Sequence, residues 1–364
     1  MFQKGRKVLP LLLAMLLIFS LVVTGCGSQA ATEKKPADTA KEGPKKITIG
    51  LSNGYFGTDF RTQMLKVAEQ VFNEYKDSGK IDKESKLIIQ NAGGDINQQI
   101  QQFRNMINSG VNVIMVNANS ATGLNGVIDE AKKAGIPVVS FDQAVTNPYA
   151  INITVDHYEW GKRYAEWMAS TLKDQGKVVE VHGLPGHPAS EDRKKAVADI
   201  FSKNSNIQVL KVADGYWDQA RAQQVMTDLL AAYPNIDGVL SQDAMAQGVL
   251  RAIDTSNRSI KAMTGEMTVG YLKMWKAYLQ KHPDFQGFAQ ANPPGISGSG
   301  MRVAVRLALG KTLKPLKDNT FYYNITKTVD NKTIDEVLKS LEGKPDTYFM
   351  DEWLTDVQAD ALFN

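Results

Sequence analysis

Ten residues between positions 53 and 292 share one chemical character: Asn53, Tyr55, Phe56, Asp142, Gln143, Glu191, Trp217, Gln242, Glu266 and Asn292. Seven are planar carboxylates or amides and three are aromatic. Carboxylates and amides form paired hydrogen bonds with neighbouring hydroxyls, and an aromatic face covers the C–H face of a sugar ring. The set contains no Lys or Arg, so a phosphate or carboxylate ligand is poorly served. Asp142 and Glu266 could also act as the paired carboxylates of glycoside hydrolysis, but no nucleophile elbow accompanies them. His157, His182, His187 and His282 lack a spacing such as His-x-x-x-His, so no metal site is expected. Gly183-Leu-Pro-Gly186 has neither G-x-G-x-x-G nor a following Lys-Ser/Thr, and reads as a place of close backbone approach. The residues point to binding, with no catalytic group and no cofactor.

The elements that must position these residues alternate. Candidate strands are 47–52, 86–91, 112–117, 137–141, 150–155, 177–182, 207–212, 237–241, 261–265 and 287–291, several of them short continuous apolar runs. Between them, sets such as Phe60, Met64, Val67, Val71 and Tyr75, or Trp160, Tyr164, Trp167, Met168 and Leu172, keep helical spacing. Repeated βα units imply parallel sheets with helices on both faces. In such sheets ligands bind beyond the carboxyl ends of strands, and nearly all of the ten candidates directly follow a strand. An internal echo supports two similar lobes: Val111–Asn117 is followed by Ala121 and Gly123, and Ile236–Gln242 by Ala246 and Gly248. Plainer roles stand beside the binding ones. Phe56 is in phase with Phe60 and Met64 and could staple a helix start. Asp142 and Asp156 could be caps, Asp218 and Asp243 are expected to be caps, and Glu191 could be solvated helix-start charge. Trp160, Trp167 and Trp275 lie in helical stripes and belong to the core.

The first residues decide the compartment. Lys4, Arg6 and Lys7 precede the apolar run Val8–Val23, which ends at Thr24-Gly25-Cys26. The run is short for a membrane span of about 20 residues and suits a signal peptide. Residues 27–45 carry no aromatic or branched apolar residue and read as a flexible tether. The formal net charge of +3 falls to about zero without the three N-terminal cations, so nothing points to nucleic acid. Cys26 is the single cysteine, which excludes an intrachain disulfide.

Small residues before that cysteine resemble the lipobox of bacterial lipoproteins, implying cleavage before Cys26 and lipidation of its thiol. From Lys46 to about Lys311 the chain resembles the ribose-binding-protein class of type I periplasmic solute-binding proteins, receptors of sugar ABC importers. The resemblance is carried by Ile49-Gly-Leu-Ser-Asn53-Gly-Tyr55-Phe56, Gly135-Ile-Pro-Val-Val-Ser-Phe-Asp142, Thr154-Val-Asp156, Gln242-Asp243, Gly265-Glu266 and Asn292-Pro-Pro-Gly295 before a helix over 299–309. It implies an α/β fold of two Rossmann-like lobes with parallel sheets, joined by a three-segment hinge and closing on ligand. It places Asn53, Tyr55 and Phe56 in the first lobe's wall and Asp142 on sugar hydroxyls. Trp217 would cover the other ring face, with Gln242 and Glu266 at binding positions. Two departures argue against ribose: many relatives have Arg where this chain has Gln143, and ribose binders place Arg where it has Glu191, with Arg193 two residues on. A different sugar, a polyol or an amine-bearing ligand is implied.

The expected organisation is a lipoprotein signal peptide over 1–25, a tether over 26–45, an N-terminal lobe of 46–144 plus 292–322, and a C-terminal lobe of 145–291 plus 323–364. Phe321–Lys327 reads as a strand, followed by a helix near 333–341, with Trp353 buried in the second lobe. The expected function is a monomeric, non-enzymatic receptor, lipid-anchored outside the cytoplasm. It would deliver a monosaccharide or polyol to an ABC permease, with a sensory receptor for a chemoreceptor or kinase as the alternative.

Overall fold

The computed structural model describes residues 43–364 apart from 325 and 326. The expected signal peptide and Cys26 lie outside the described residues, as does the tether up to residue 42. Strands β1 (Thr48–Asn53), β2 (Lys86–Asn91), β3 (Val113–Asn117), β4 (Val138–Phe141) and β5 (Ile151–Val155) come first. They alternate with helices α1 (Asp59–Asp77), α2 (Ile96–Asn108) and α3 (Asn125–Lys133). Then come α4 (His157–Thr171), β6 (Gly176–His182), α5 (Pro188–Phe201), β7 (Ile207–Asp214), α6 (Gln219–Ala232) and β8 (Gly238–Ser241). They lead to α7 (Ala246–Thr255), β9 (Ala262–Glu266), α8 (Val269–Lys281) and β10 (Gln286–Gln290). The chain closes with α9 (Ile296–Ala308), β11 (Thr320–Tyr323), β12 (Thr328–Asp330), α10 (Ile334–Ser340) and α11 (Asp356–Asp360).

The strands form two six-stranded sheets of one design. Their orders are β11-β5-β4-β3-β1-β2 and β12-β10-β9-β8-β6-β7. All pairings are parallel except β10 with β12. The apolar runs follow from this layout: β3 and β4 are buried along their whole length, whereas the edge strand β2 is only partly covered. β3 and β8, the two halves of the internal echo, hold equivalent places in the two sheets. Polar caps start the helices: Thr58, Asp95, Asp156, Asp218 and Thr268 each accept a first-turn backbone N–H.

Three expectations about lobe boundaries are corrected. β5 pairs with β4 in parallel register, Val139 opposite Ile151, so the first sheet continues to Val155 and does not end at 144. No helix separates these strands. Their connector is pinned instead by Asn152, which accepts from the Val145 N–H at 2.9 Å and donates to the Val145 carbonyl at 3.1 Å. The strand expected from Phe321 is observed as β11, which ends at Tyr323 and completes the first sheet, while β12, starting at Thr328, completes the second. The tail does not stay with the second lobe. α10 packs on α8, but beyond Met350 the chain returns to the first lobe. There Trp353 lies against Gly295 and Gly298, and Leu354 N–H donates to Ser299 Oγ at 3.0 Å.

The tail thus adds a fourth crossing between the lobes. Phe349 forms an antiparallel bridge with Thr268 of the second lobe. It also exchanges hydrogen bonds with the Gln63 amide of α1 (3.0 and 2.9 Å) and sets its ring edge-on to Phe60 at 5.3 Å. α11 is tied down by Asp356, which accepts from Tyr75 Oη at 2.5 Å, Arg302 at 2.8 Å and Arg306 at 3.2 Å.

Candidate functional site

The carboxyl ends of the two sheets meet at one buried cluster. On the first-lobe side, β1 ends in Asn53, whose Nδ2 donates to Asn91 Oδ1 and to the Tyr55 carbonyl, both at 2.8 Å. Its Oδ1 is buried without a partner. Gly54 follows where a Cβ would stand 2.7 Å from the Asn117 carbonyl, so the loop passes close to the end of β3. α1 then starts on the Thr58 cap, and its first turn aims Arg61 back at the sheet. Arg61 pairs with Asp142 at 2.5 Å. Asp142 takes a left-handed backbone (φ 63°) just after β4. It also accepts from the Asn117 and Gln143 amides, each at 3.1 Å. Burial by itself raises this carboxyl, but the Arg61 charge and these hydrogen bonds outweigh it and hold it at about 2.

On the second-lobe side, Asp156 caps α4 and puts His157 and Trp160 on its inner face. Gly161 lets α5 approach: a Cβ there would stand 2.5 Å from the Arg193 carbonyl. The close helix pair lays the Arg193 guanidinium 3.9 Å over the Trp160 ring. Arg193 is 1% exposed and pairs with Asp243 at 2.5 Å. β9 delivers Glu266, 2% exposed, with neither carboxylate oxygen hydrogen-bonded to a side chain and the Asn292 backbone N–H beside it. Burial, then the neighbouring Asp243 charge, pushes Glu266 well above the usual carboxylate range. His157 is pushed down to about 3 by burial and then by the Arg193 charge. His187 falls to about 4 through burial and then Arg61. Both rings are therefore neutral at physiological pH. Trp217 (φ 56°) meets His187 edge-on at 4.7 Å, and its indole N–H is buried without a partner. Gly183 makes room for that ring, since a Cβ there would lie 2.0 Å from it.

The two sides act on each other electrostatically. Asp142 of the first lobe raises Asp243 and Glu266 of the second, and Arg61 lowers His187. The lobes are closed over the cluster. Buried polar atoms without a protein partner gather here. The acceptors are Asn53 Oδ1, Asp243 Oδ1, both Glu266 oxygens, Gln290 Oε1 and Asn292 Oδ1; the donors include Arg193 Nε and Nη2, Trp160 Nε1 and Trp217 Nε1. Each such atom costs free energy on the order of 1–3 kcal/mol unless it is satisfied. The arrangement suits a small molecule rich in hydroxyls, with aromatic surface from Trp160 and Trp217 alongside.

The ten candidates divide. Asp142, Gln143, Glu266 and Asn292 are buried in the cluster, with Asn53 at the end of the neighbouring β1 and Trp217 part-buried beside it. Tyr55 and Phe56 are 48% and 54% exposed, outside the buried group. Gln242 is buried but spent inside the protein: its amide nitrogen donates to His182 Nδ1 at 2.5 Å and its oxygen accepts from Gly183 N–H at 3.2 Å. It fixes the loop after β6, with both ends of its amide engaged within the protein. Glu191 is exposed and accepts from Gly186 N–H at 2.9 Å, so the expected placement in the site is corrected. Arg193, two positions on, points inward instead. Asp243, expected to cap a helix, is the partner of Arg193. His157, His187 and Arg193 follow strands in the sequence but are not among the ten candidates, and Arg61 gives no signal of its own, because polar residues on or before helices read as solvent-facing. The available signal is their place at or near the starts of helices that follow strand ends.

Among the described residues no group of three or more His, Cys, Asp or Glu is placed to hold a metal ion. Nor is any helix among them long and apolar enough to cross a membrane. The chain is 27% identical over 241 residues to the ribose import binding protein of Bacillus subtilis, covering 66% of this chain and 75% of that one. It is 29% identical over 232 residues to the xylitol-binding protein of Mycolicibacterium smegmatis, covering 63% and 65% respectively. An ABC transporter solute-binding protein from Thermobispora bispora superposes with a TM-score of 0.74 at 21% identity, covering 87% of this chain and 94% of that one. The profile of the periplasmic binding protein domain matches residues 49–312. With two same-order α/β sheets closed over a polar cluster and that match across most of its length, this chain belongs to the periplasmic binding protein family.

Proposed function

We propose that this chain is the extracytoplasmic receptor of an ABC importer, binding a monosaccharide or related polyol between its lobes without chemical change. The observation that carries this reading is the enclosed group of unpartnered polar atoms flanked by Trp160 and Trp217. Asp142, Glu266 and Asn292 would hold hydroxyls, Arg193 would donate to ligand oxygens, and Trp217 would cover a ring face. Transport is favoured over sensing because the ribose relative is named for import. Closure on the ligand would create the surface that docks on the permease.

A thermal-shift screen over pentoses, hexoses and polyols tests the reading. A true ligand at about 100 times its Kd adds about 2.7 kcal/mol of stability, and a flat response across all classes would remove it. Trp217→Ala is expected to weaken binding of the identified ligand by about 1–3 kcal/mol through lost ring coverage. Unchanged affinity by calorimetry would exclude Trp217 from contact. We further propose that residues 1–25 are a lipoprotein signal peptide and that Cys26 carries the lipid, with the following residues to about 45 as tether. Cys26→Ser is then expected to move the protein from the membrane fraction to the soluble one, whereas continued membrane association would dismiss the anchor.

A further inference from the structure

The cluster contains three carboxylates and two guanidiniums. Asp142 has Arg61 at 2.5 Å and Asp243 has Arg193 at 2.5 Å, while Glu266 is buried with no side-chain hydrogen-bond partner and only the Asn292 backbone N–H close enough to favour its charged form by hydrogen bonding. The other groups around Glu266 supply no second cation. Asp243 and Asp142 are like charges, and the one cation whose charge reaches Glu266, Arg193, is shared with Asp243. Tyr164 gives its hydroxyl to the Gly265 carbonyl, and His157 and His187 are neutral. Acceptors crowd the same corner. Gln290 is the register neighbour of Glu266 in the parallel sheet, and Asn292 lies two residues further along. Residues in register face the same side, and the Asn292 backbone lies beside the Glu266 carboxylate. Gln290 Oε1 and Asn292 Oδ1 are likewise buried and unpartnered, because Gln290 spends its amide nitrogen on the Trp160 carbonyl at 2.7 Å. A neutral hydroxyl offers one donor to this corner. An ammonium offers three donors and the missing positive charge.

We propose that the ligand carries a protonated amine, as in an amino sugar or amino polyol, and that Glu266 is its counter-ion with Gln290 and Asn292 as neutral acceptors. This rests on the receptor reading above and narrows its substrate class. Burial disfavours the Glu266 carboxylate; an ammonium beside it would favour the ionised form, giving the liganded cluster three cations against three anions.

The test is calorimetric titration of the full-length protein with matched pairs. D-glucosamine is set against D-glucose, D-galactosamine against D-galactose, and 1-amino-1-deoxysorbitol against sorbitol, with the N-acetyl sugars as uncharged controls. At least one amine is expected to bind roughly tenfold or more tighter than its neutral partner. In Glu266→Gln, which keeps the shape and removes the charge, the ratio of amine to neutral affinity is expected to shrink to near unity, whatever the change in neutral binding itself. If neutral sugars or polyols bind and the amines bind no better, the counter-ion role of Glu266 falls and the receptor reading stands. An amine preference that survives in E266Q also overturns the role. If no member of either class binds, the receptor reading fails and takes this inference with it.

Discussion

Replacing Arg193 with Met is expected to cost about 3–5 kcal/mol of stability, because it strips a close cation from two buried carboxylates. Arg193 is 1% exposed, pairs with Asp243 at 2.5 Å and lies 3.9 Å over Trp160. Met preserves much of the stem's volume, so the loss measures mainly the uncompensated charge of Asp243 and Glu266. The deficit should depend on pH with a definite sign. Asp243 and Glu266 are already raised by burial in the native protein, and losing Arg193 raises them further. A carboxyl whose folded pKa lies above its unfolded value of about 3.9 keeps its proton in the folded state after the unfolded chain has released it. Its stability contribution is complete below the unfolded pKa and falls as pH rises through the folded one. R193M should therefore lie closer to the parent at pH 5 than at pH 7.5. Urea unfolding at both pH values checks this. A loss under about 1 kcal/mol, or a deficit that grows toward pH 5, would contradict the charge account.

Phe349→Ala is the second large effect, expected to cost about 3–5 kcal/mol, as for other buried Phe truncations. Phe349 stands where the tail passes from the second lobe to the first, bridged to Thr268, bonded to Gln63 and edge-on to Phe60. The substitution removes the side chain that fastens this strap and leaves the three hinge segments untouched. Two readouts should therefore move together: the unfolding midpoint falls, and ligand affinity weakens because the closed arrangement is less populated. Small-angle scattering without ligand should show a more extended molecule. Lost stability with unchanged affinity and unchanged scattering would mean that the strap contributes packing alone.

Much of this architecture is written in local patterns. Continuous apolar runs mark several of the ten strands expected from sequence because both faces of a parallel sheet are covered, and each of the ten lies within a residue or two of its observed place. Asp218 caps α6 as its position before a helical run suggests. The acidic ends of β4 and β9 could be located because residues just past a strand are confined to one edge of the sheet. Other features depend on partners distant in the chain. Glu191 and Arg193 are two residues apart on α5, about 200° around the helix. Which of them enters the cleft is settled by the tight contact of α5 with Gly161 of α4. Gln242 has the right residue type in the right place, yet its amide is consumed by His182, 60 residues away. β5 looks like the start of a new lobe until its pairing with β4 is seen. Trp353 packs on the lobe that its neighbours in sequence do not suggest.

The division has a physical basis. Periodicity, caps and turn residues act over a few positions along the chain, so the chain's own order carries the strands, the helices, the two-lobe repeat and the hydroxyl-seeking chemistry of the loops. Charge pairing and burial act through space. The pairing of Arg61 with Asp142 and of Arg193 with Asp243, and the isolation of Glu266 between them, exist only once two sheets close on each other.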